Sequence, residues 1–379
     1  MGKVKVLSHN VITPFGEGSH ENFLHIKAGE TAIRQHKGQD WGLTEDFMAA
    51  LIDKPVPSPR AEHLALSCIQ GALSTLPHSI PKDEMTLVLC TTKGNVESIH
   101  KNTDITLSHM ATSLQKAIGL KENPIVVSNA CTSGLCGLIE GMRILKCGHS
   151  RYVIVCGVEA QSRFIVSGFQ SFHALSPDHC MPFSANRIGL NVGEAAATMI
   201  LTLTDEISPE DWILAKGAIR NDAFHISGPS HQAEGSFRAL RYVMDECSRE
   251  DLAFVSVHGT ATPFNDEMEA VALHRAGLSD VPIFSLKGYY GHTMGAAGVL
   301  ETILSMEAVD AGIVPATLGY DGELGVSKAV NVSQNCRTTQ KKTFIKLMSG
   351  FGGCNAALRL QKSDDHRPTF DSSKKGGAL

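Results

Sequence analysis

Short apolar runs alternate along the chain with longer stretches of helical period, and this alternation is the strongest constraint on the fold. The runs are KVKVLS, EMTLVLC, PIVVSN, RYVIVCG, AATMILTL, LAFVSVHG, VPIFSL and TFIKLMSG. Apolar segments of this length, separated by helical patterns, are typical of strands in βαβ units. Because the runs are mostly apolar throughout, we expect sheets that are buried on both faces. The sequence therefore predicts an α/β fold.

A polar segment, TDEISPED at residues 204–211, separates two parts of comparable size. We place a boundary within it, which gives an N-terminal half over residues 1–205 and a C-terminal half over residues 206–362. The remaining residues, 363–379, are polar and have no periodicity. They predict a mobile tail.

Composition excludes several classes of protein. The net charge of −5 argues against nucleic acid as the main partner. No apolar run approaches the length of a membrane span. The first residues, MGKVKVLSHNVITPFG, do not form a signal peptide, and the ten cysteines include no C-x-x-C pair. Reduced thiols and a cytoplasmic location are therefore expected.

Cys131 occupies an unusual place in the stretch VVSNACTSGLCGL. It follows an apolar run and precedes Leu135, Leu138 and Met142, whose spacing is helical. A thiol at a helix N-terminus faces unpaired N–H groups and the positive end of the helix dipole, which favour the nucleophilic thiolate. Cys131 is therefore a candidate nucleophile, although a free cysteine is also often a small buried hydrophobe.

Two histidines end predicted strands in the second half. His258 closes LAFVSVHG, and His292 follows VPIFSL within KGYYGHTMGAAG. Strand ends are where open α/β sheets place their active sites, although most of the 17 histidines are expected to be structural or exposed. The turn SGFGGCNAAL could add a backbone N–H to that of Cys131 and form an oxyanion hole. An ordinary glycine turn is the alternative.

Four blocks together resemble a known family. NACTSG, HGTATPFND, KGYYGHTMGAAGVLE and GFGGCN occur in this order and resemble the signatures of the β-ketoacyl-acyl carrier protein synthases and polyketide ketosynthases. Further similar segments are VLSHNVITPFGEG, GFQSFHALSP, MPFSANRIGLNVGEAAATMIL and NDAFHISGP. The chain is identified as a divergent, short member of the elongating Cys-His-His type.

The resemblance implies a thiolase-like α/β fold. Two related αβα halves would form a five-layered αβαβα core with the site between them. The small-residue turns in VVSNACTSG and KLMSGFGGCN, one from each half, also hint at a duplication.

The resemblance further implies a decarboxylative condensation in fatty-acid-like, polyene or polyketide biosynthesis. Cys131 would hold the acyl chain as a thioester. His258 and His292 would promote decarboxylation of a malonyl extender and stabilise the enolate. The backbone amides of Cys131 and Phe351 would hold the oxyanion, and the Phe351 side chain would gate the site.

Three pairs of residues match supporting positions of the family. They are Lys287 with Glu301, Thr260 with Thr262, and Asp266 with Glu269. The first pair would orient the histidines, the second would bind the pantetheine arm, and the third would be structural.

Two other thiolase-fold chemistries need excluding, and the alternatives kept are a non-decarboxylating thiolase or acyltransferase and the catalytic subunit of a heterodimeric ketosynthase that is active only with a non-catalytic sister chain. A non-decarboxylating thiolase or acyltransferase would use a second cysteine, for which Cys354 is a candidate. However, the family carries a small residue such as threonine at that position, which favours packing. Initiating synthases carry asparagine where this chain has His292, so the elongating class fits better. A scaffold without chemistry would not need to retain Cys131 and both histidines.

The implied partners follow from this chemistry. We expect no cofactor, because the substrates travel on the phosphopantetheine of an acyl carrier protein. A homodimer, or a heterodimer with a ketosynthase-like sister chain, is expected. Candidate basic residues for an acidic carrier protein are Lys54, Arg60, Arg143 and Lys146. The cysteines and histidines lack metal-ligand spacing along the chain, so no metal is expected.

Overall fold

The computed structural model describes residues 2–76, 80–101, 103–222, 224 and 230–363. Its helices are α1 (Ser19–Ala28), α2 (Arg60–Ser74), α3 (Leu107–Ile118), α4 (Ser133–Lys146), α5 (Arg163–Ser171), α6 (Glu234–Met244), α7 (Pro263–Arg275), α8 (Lys287–Tyr290) and α9 (Ala297–Asp310). Its strands are β1 (Lys3–Thr13), β2 (Gly16–Glu17), β3 (Arg34–His36), β4 (Phe47–Ala50), β5 (Met85–Cys90), β6 (Ile125–Val127), β7 (Tyr152–Glu159), β8 (Val192–Gly193), β9 (Ala195–Thr204), β10 (Trp212–Asn221), β11 (Leu252–Ser256), β12 (Pro282–Phe284), β13 (Ile313–Val314), β14 (Asn331–Val332), β15 (Arg337–Thr338), β16 (Thr343–Gly350) and β17 (Cys354–Lys362).

Each of the eight apolar runs contains a strand, namely β1, β5, β6, β7, β9, β11, β12 and β16. The proposed tail lies outside the described residues except for Ser363, as does most of NDAFHISGP. No helix in the described ranges is long and apolar enough to cross a bilayer.

The two halves have the same strand order. The N-terminal half runs β1-β9-β7-β5-β6 and the C-terminal half runs β10-β17-β16-β11-β12. If the five strands of each half are numbered in chain order, both sheets have the spatial order first, fifth, fourth, second, third. The directions also agree, with two antiparallel pairings followed by two parallel ones. The chain is therefore built from two related halves, as the resemblance implied.

Five layers result from how the helices cover these strands. Helices α2 and α3 pack on the outer face of the first half, and α6 and α7 on the outer face of the second. Helices α4 and α9 lie between the two halves in the largest core cluster. α9 is buried on nearly every side, as expected for a central helix, whereas α2 buries one stripe. This is a thiolase-like five-layered α/β arrangement.

The halves are joined by main-chain hydrogen bonds as well as by packing. β1 pairs with β9 on one side and with β10 on the other, where Val4 is opposite Leu214. The segment predicted to separate the halves forms the loop between β9 and β10. A single twelve-stranded sheet therefore runs through both halves.

Candidate functional site

Cys131 lies at the predicted strand-to-helix turn, between β6 and α4. The turn is closed by Ser133, whose hydroxyl accepts from the Asn129 N–H at 2.8 Å and donates to the Ala130 carbonyl at 2.6 Å. Ala130 has φ 47°, a left-handed conformation that costs a non-glycine residue about 1–2 kcal/mol. The local structure thus holds the Cys131 backbone in a strained, defined orientation.

His258 follows the carboxyl end of β11, as predicted. The next residue, Gly259, has φ 47°, and a Cβ there would lie 2.6 Å from Cβ of Ser285. Glycine is therefore required for the loop to turn at this point. The His258 side chain is buried.

His292 is fixed by the other half of the chain. Its N–H donates to the Asn191 carbonyl at 2.6 Å, and its carbonyl accepts from the Gly193 N–H at 3.0 Å. Both partners belong to the segment around β8. The backbone of the N-terminal half therefore holds His292, which belongs to the C-terminal half, in place. Like His258, it is buried.

The three predicted catalytic residues lie next to one another in the structure. One ligand-type atom each of Cys131, His258 and His292 lies within 4.8 Å of the other two. The two imidazole rings are edge-to-face, with centroids 4.9 Å apart. Chain spacing could not reveal this cluster, because three separate loops bring its members together. Although such a trio could ligate a metal, the nearby Lys287 and Lys346 ammonium groups oppose a cation.

The Cys131 thiol differs from our expectation. We predicted that the helix N-terminus would favour thiolate, but burial raises the pKa of Cys131 to about 11, against the smaller opposing effects of Lys287 and Lys93. Desolvation disfavours the charged sulfur more than these cations favour it. Cys131 is therefore a thiol near neutral pH and needs a base to become a nucleophile.

Both imidazoles are neutral near pH 7. Burial, followed by the charge of Lys287, holds the pKa of His258 and of His292 well below 6.5. The Met294 N–H donates to Nδ1 of His292 at 3.2 Å. Within the described ranges, Nε2 of His292 and Nδ1 of His258 have no hydrogen-bond partner. The buried cluster thus contains uncommitted nitrogen atoms of neutral rings.

Phe351 begins the short 3-10 turn between β16 and β17. Its backbone N–H is hydrogen-bonded to the Cys131 thiol and lowers the pKa of that group. Its ring is 44% exposed and makes an edge-to-face contact with Phe172, with centroids 6.3 Å apart. Phe351 therefore contributes both an amide donor at the Cys131 sulfur and an exposed aromatic side chain.

Lys287 and Glu301 form an ion pair, and Lys346 forms a second ion pair with the same carboxylate. The Lys287 ammonium contacts Oε1 of Glu301, while Nζ of Lys346 lies 2.6 Å from Oε2. All three side chains are at most 3% exposed. Lys346 also donates to the Ser256 and Val257 carbonyls at 3.1 and 3.0 Å, just before His258. Sequence reasoning missed Lys346, although a lysine inside the apolar run TFIKLMSG was a usable signal.

Glu269 holds the loop at His258 through two hydrogen bonds to its backbone. Its carboxylate accepts from the N–H groups of His258 and Gly259, both at 2.6 Å. Burial and the neighbouring Asp266 raise the pKa of Glu269. Asp266 in turn accepts from the Phe183 N–H at 2.8 Å. These contacts agree with the structural role inferred for the acidic pair.

Thr260 and Thr262 follow His258 and have their hydroxyl oxygens 2.9 Å apart. Thr260 is buried and Thr262 is partly exposed. The hydrogen-bonded pair therefore consists of one buried and one partly exposed threonine.

Cys354 does not join the histidines. Its sulfur accepts from Nδ2 of Asn129 at 2.7 Å and from the Thr132 hydroxyl at 3.4 Å. It lies behind the Cys131 turn, beside Cys136.

Of the four candidate docking residues, Arg60 has a structural role. Its guanidinium binds the buried Glu194 carboxylate through two bonds of 3.0 and 2.8 Å. The Arg60 side chain, which is 24% exposed, is therefore largely engaged within the chain. Arg143 forms an exposed pair with Glu140.

Comparison with known proteins identifies the family of the chain. Residues 43–206 match the family profile "Beta-ketoacyl synthase, N-terminal domain", and residues 213–321 match "Beta-ketoacyl synthase, C-terminal domain". The chain is 32% identical to the tetracenomycin polyketide synthase ketoacyl synthase alpha subunit of Streptomyces glaucescens, over 96% of this chain and 98% of the relative.

Two further similarities add to this. Nodulation protein E of Rhizobium meliloti is 31% identical over 67% of this chain, and the alignment spans 66% of that relative's length. A ketosynthase from Xenorhabdus doucetiae, solved in complex with its chain length factor, superposes with a TM-score of 0.84 at 21% identity, covering 96% of this chain and 98% of that one. This structural likeness concerns the fold.

Proposed function

This chain belongs to the β-ketoacyl synthase family, and we propose that it condenses an acyl group held on Cys131 with malonyl-acyl carrier protein, with loss of carbon dioxide. The observation that carries the proposal is the cluster of Cys131, His258 and His292, with ligand atoms within 4.8 Å and neutral imidazoles. The product would be a 3-oxoacyl-acyl carrier protein.

The first step would load the enzyme. A neutral imidazole accepts the Cys131 proton, and the sulfur attacks the incoming thioester carbonyl. The pantetheine thiolate leaves and takes a proton, so one thioester replaces another. This base is needed because the pKa of Cys131 is raised to about 11, and only a small fraction is thiolate at neutral pH.

The second step would create the carbon nucleophile. The malonyl carboxylate leaves as carbon dioxide, and its electron pair moves toward the thioester oxygen as an enolate. Imidazole N–H groups of His258 and His292 would stabilise that oxygen. Such donors in a buried site contribute a few kcal/mol each.

The third step would form the carbon–carbon bond. The enolate carbon attacks the acyl carbonyl on Cys131, and the tetrahedral oxyanion is held by the N–H groups of Cys131 and Phe351. The position of the Phe351 amide at the Cys131 sulfur supports this assignment. Collapse of the intermediate expels the Cys131 thiolate, which recovers a proton.

The supporting residues would act through electrostatics and position. Lys287 and Glu301 keep charge balanced under the cluster, and the Lys287 charge lowers the pKa of both histidines. The hydroxyls of Thr260 and Thr262 would bind the amides of the pantetheine arm. Their place just after His258, with Thr260 buried and Thr262 partly exposed, supports this role.

A second ketosynthase-like chain is the expected assembly partner. β6 is an edge strand of the described sheet, and its residues Ile125, Val126 and Val127 are all partly exposed. Exposed apolar edges are normally covered. Covering this one would place another chain four residues from Cys131. The mass of the purified protein by light scattering, alone and with a co-expressed sister chain, tests this expectation.

The decisive experiment is intact-protein mass spectrometry with a panel of acyl-carrier proteins, followed by malonyl-carrier protein. We expect an acyl adduct that is absent in Cys131→Ala and that is discharged with release of carbon dioxide. Discharge only to coenzyme A would instead indicate a thiolase. The position of Cys354, away from the histidines, argues against that alternative.

A further inference from the structure

Two thiols lie behind the Cys131 turn and share the same partners. Cys136 is on α4 in the N-terminal half and Cys354 begins β17 in the C-terminal half, and both are buried. Nδ2 of Asn129 is 2.7 Å from the Cys354 sulfur and 3.4 Å from that of Cys136. The Thr132 hydroxyl is 3.4 and 3.6 Å from the same two sulfurs. The thiols are thus neighbours across the interface of the halves.

The surrounding hydrogen bonds make the two sulfurs unequal. Cys136 is hydrogen-bonded to Cys354 and also donates to the Thr132 hydroxyl at 3.6 Å, whereas Cys354 accepts from the Asn129 amide at 2.7 Å. These bonds, that from Cys136 first, lower the pKa of Cys354 and raise that of Cys136. A more acidic thiol therefore faces a less acidic one, so that the first can be oxidised and the second can resolve it.

We propose that Cys136 and Cys354 form a dithiol modification site that takes up a two-electron oxidant of the peroxide class and closes to a disulfide. The Cys354 thiolate attacks a peroxide oxygen, the O–O bond breaks, and a sulfenic acid and hydroxide form. The Cys136 sulfur then attacks the sulfenic sulfur and breaks its S–O bond. The departing hydroxide takes the Cys136 proton, so two thiols and one hydrogen peroxide yield a disulfide and two waters.

The disulfide would connect the two turns that carry the Cys131 and Phe351 amides. Asn129 and Thr132 would lose the thiol sulfur that they contact in the reduced protein. Because both residues belong to the Cys131 turn, oxidation should slow acyl loading. This consequence, unlike the site itself, rests on the proposed function.

The site can be mapped without activity. Trypsin places Cys131 and Cys136 in one peptide, residues 122–143, and Cys354 in another, residues 347–359. In a Cys131→Ala chain, with the exposed Cys147 and Cys336 changed to serine, any link between these peptides is therefore Cys136 to Cys354. We expect hydrogen peroxide to produce this link, with a loss of two mass units that dithiothreitol restores.

A matched variant gives the control. In the same background, Cys136→Ala removes both the partner thiol and the hydrogen bond that lowers the pKa of Cys354, so it should form no link and should leave Cys354 as a thiol that N-ethylmaleimide labels after peroxide treatment. The proposal is overturned if N-ethylmaleimide still labels both thiols after peroxide treatment, or if Cys354 links to another cysteine. Acyl loading by the reduced wild-type chain is measured in parallel. Its failure alongside an intact link would count against the proposed function and not against the dithiol site.

Discussion

The backbone N–H of Met294 donates to Nδ1 of His292 over 3.2 Å, and this contact decides which nitrogen carries the proton. Nδ1 must be the acceptor, so the neutral ring bears its hydrogen on Nε2. That nitrogen is buried and has no partner within the described ranges. The His292 side chain thus presents an uncommitted N–H within the cluster, as its proposed role as an enolate donor requires.

Replacing His292 tests this assignment. Because His292→Ala removes one enolate donor, we expect decarboxylation to slow by roughly 10²- to 10³-fold, with acyl loading of Cys131 largely kept. Release of labelled carbon dioxide and the mass of the acyl adduct measure the two steps separately. His109→Ala, at an exposed histidine, is the control. Loss of loading with normal decarboxylation would contradict the assignment.

The protonation of Cys131 predicts the pH dependence of its alkylation. Its pKa is raised to about 11 by burial, so thiolate accumulates only as pH rises toward that value. We expect the rate of labelling by iodoacetamide to rise about tenfold per pH unit from pH 7 to 10. The unfolded chain should react faster at pH 8, because an unperturbed cysteine has a pKa of about 8.5. A plateau below pH 8 in the folded protein would show that the thiol is already ionised.

The same shift has a consequence for stability. The folded pKa of Cys131 exceeds its unfolded value, so the unfolded chain loses this proton first as pH rises. The contribution of Cys131 to stability is therefore present below about pH 8.5 and is lost as pH rises toward about 11. Urea unfolding of wild type and Cys131→Ala between pH 7 and 10 should show a steeper decline for the wild type.

Lys346 is expected to matter for stability more than any surface lysine. Lys346→Met leaves Glu301 with one cation in a site from which solvent is excluded. Because Lys287 still balances the carboxylate, the cost is that of the lost ion-pair contact and of the lost bonds to the Ser256 and Val257 carbonyls, about 1–3 kcal/mol. Urea unfolding measures the loss, with the exposed Lys341→Met as control. Adding Glu301→Gln should deepen the loss because the buried Lys287 then has no counter-charge, whereas a change below about 1 kcal/mol for Lys346→Met would show that Lys287 alone suffices.

Glu269 should position His258 without touching substrate. Glu269→Gln keeps the shape but retains one acceptor oxygen for the two N–H groups of His258 and Gly259. We expect a loss of about 2 kcal/mol in unfolding free energy and slower decarboxylation with the KM for malonyl-carrier protein unchanged. Glu122→Gln, at an exposed position, is the control. A raised KM with unchanged kcat would instead assign Glu269 to substrate binding.

The sequence was most informative where patterns are local. Apolar runs predicted the eight strands, most clearly β5, β7 and β9, whose residues are buried on both faces along nearly their whole length. β10 and β17 were missed because WILAKGAIRN and CNAALRLQK mix charged and small residues among apolar ones. The hint of duplication was right, but its turns are not equivalent. β6 is the third strand of its half, whereas β16 is the fourth.

Long-range electrostatics could not be predicted. The chain offers no local sign that Lys346 meets Glu301, or that Cys354 meets Cys136 across the interface of the halves. The thiolate expected at Cys131 was wrong for the same reason, because the helix N-terminus is a local feature and desolvation is a property of the whole fold.

The pairing of β1 with β10 also limits how the cleft can change shape. Main-chain hydrogen bonds cross the junction of the halves, so a hinge that opened the cleft would have to break the ladder. For the proposed reaction we therefore expect substrate to be admitted by rotation of side chains where the Phe351 and Phe172 rings are in edge-to-face contact. On this proposal the size of the Phe351 side chain, more than any movement of the two halves, would set the turnover of large acyl chains.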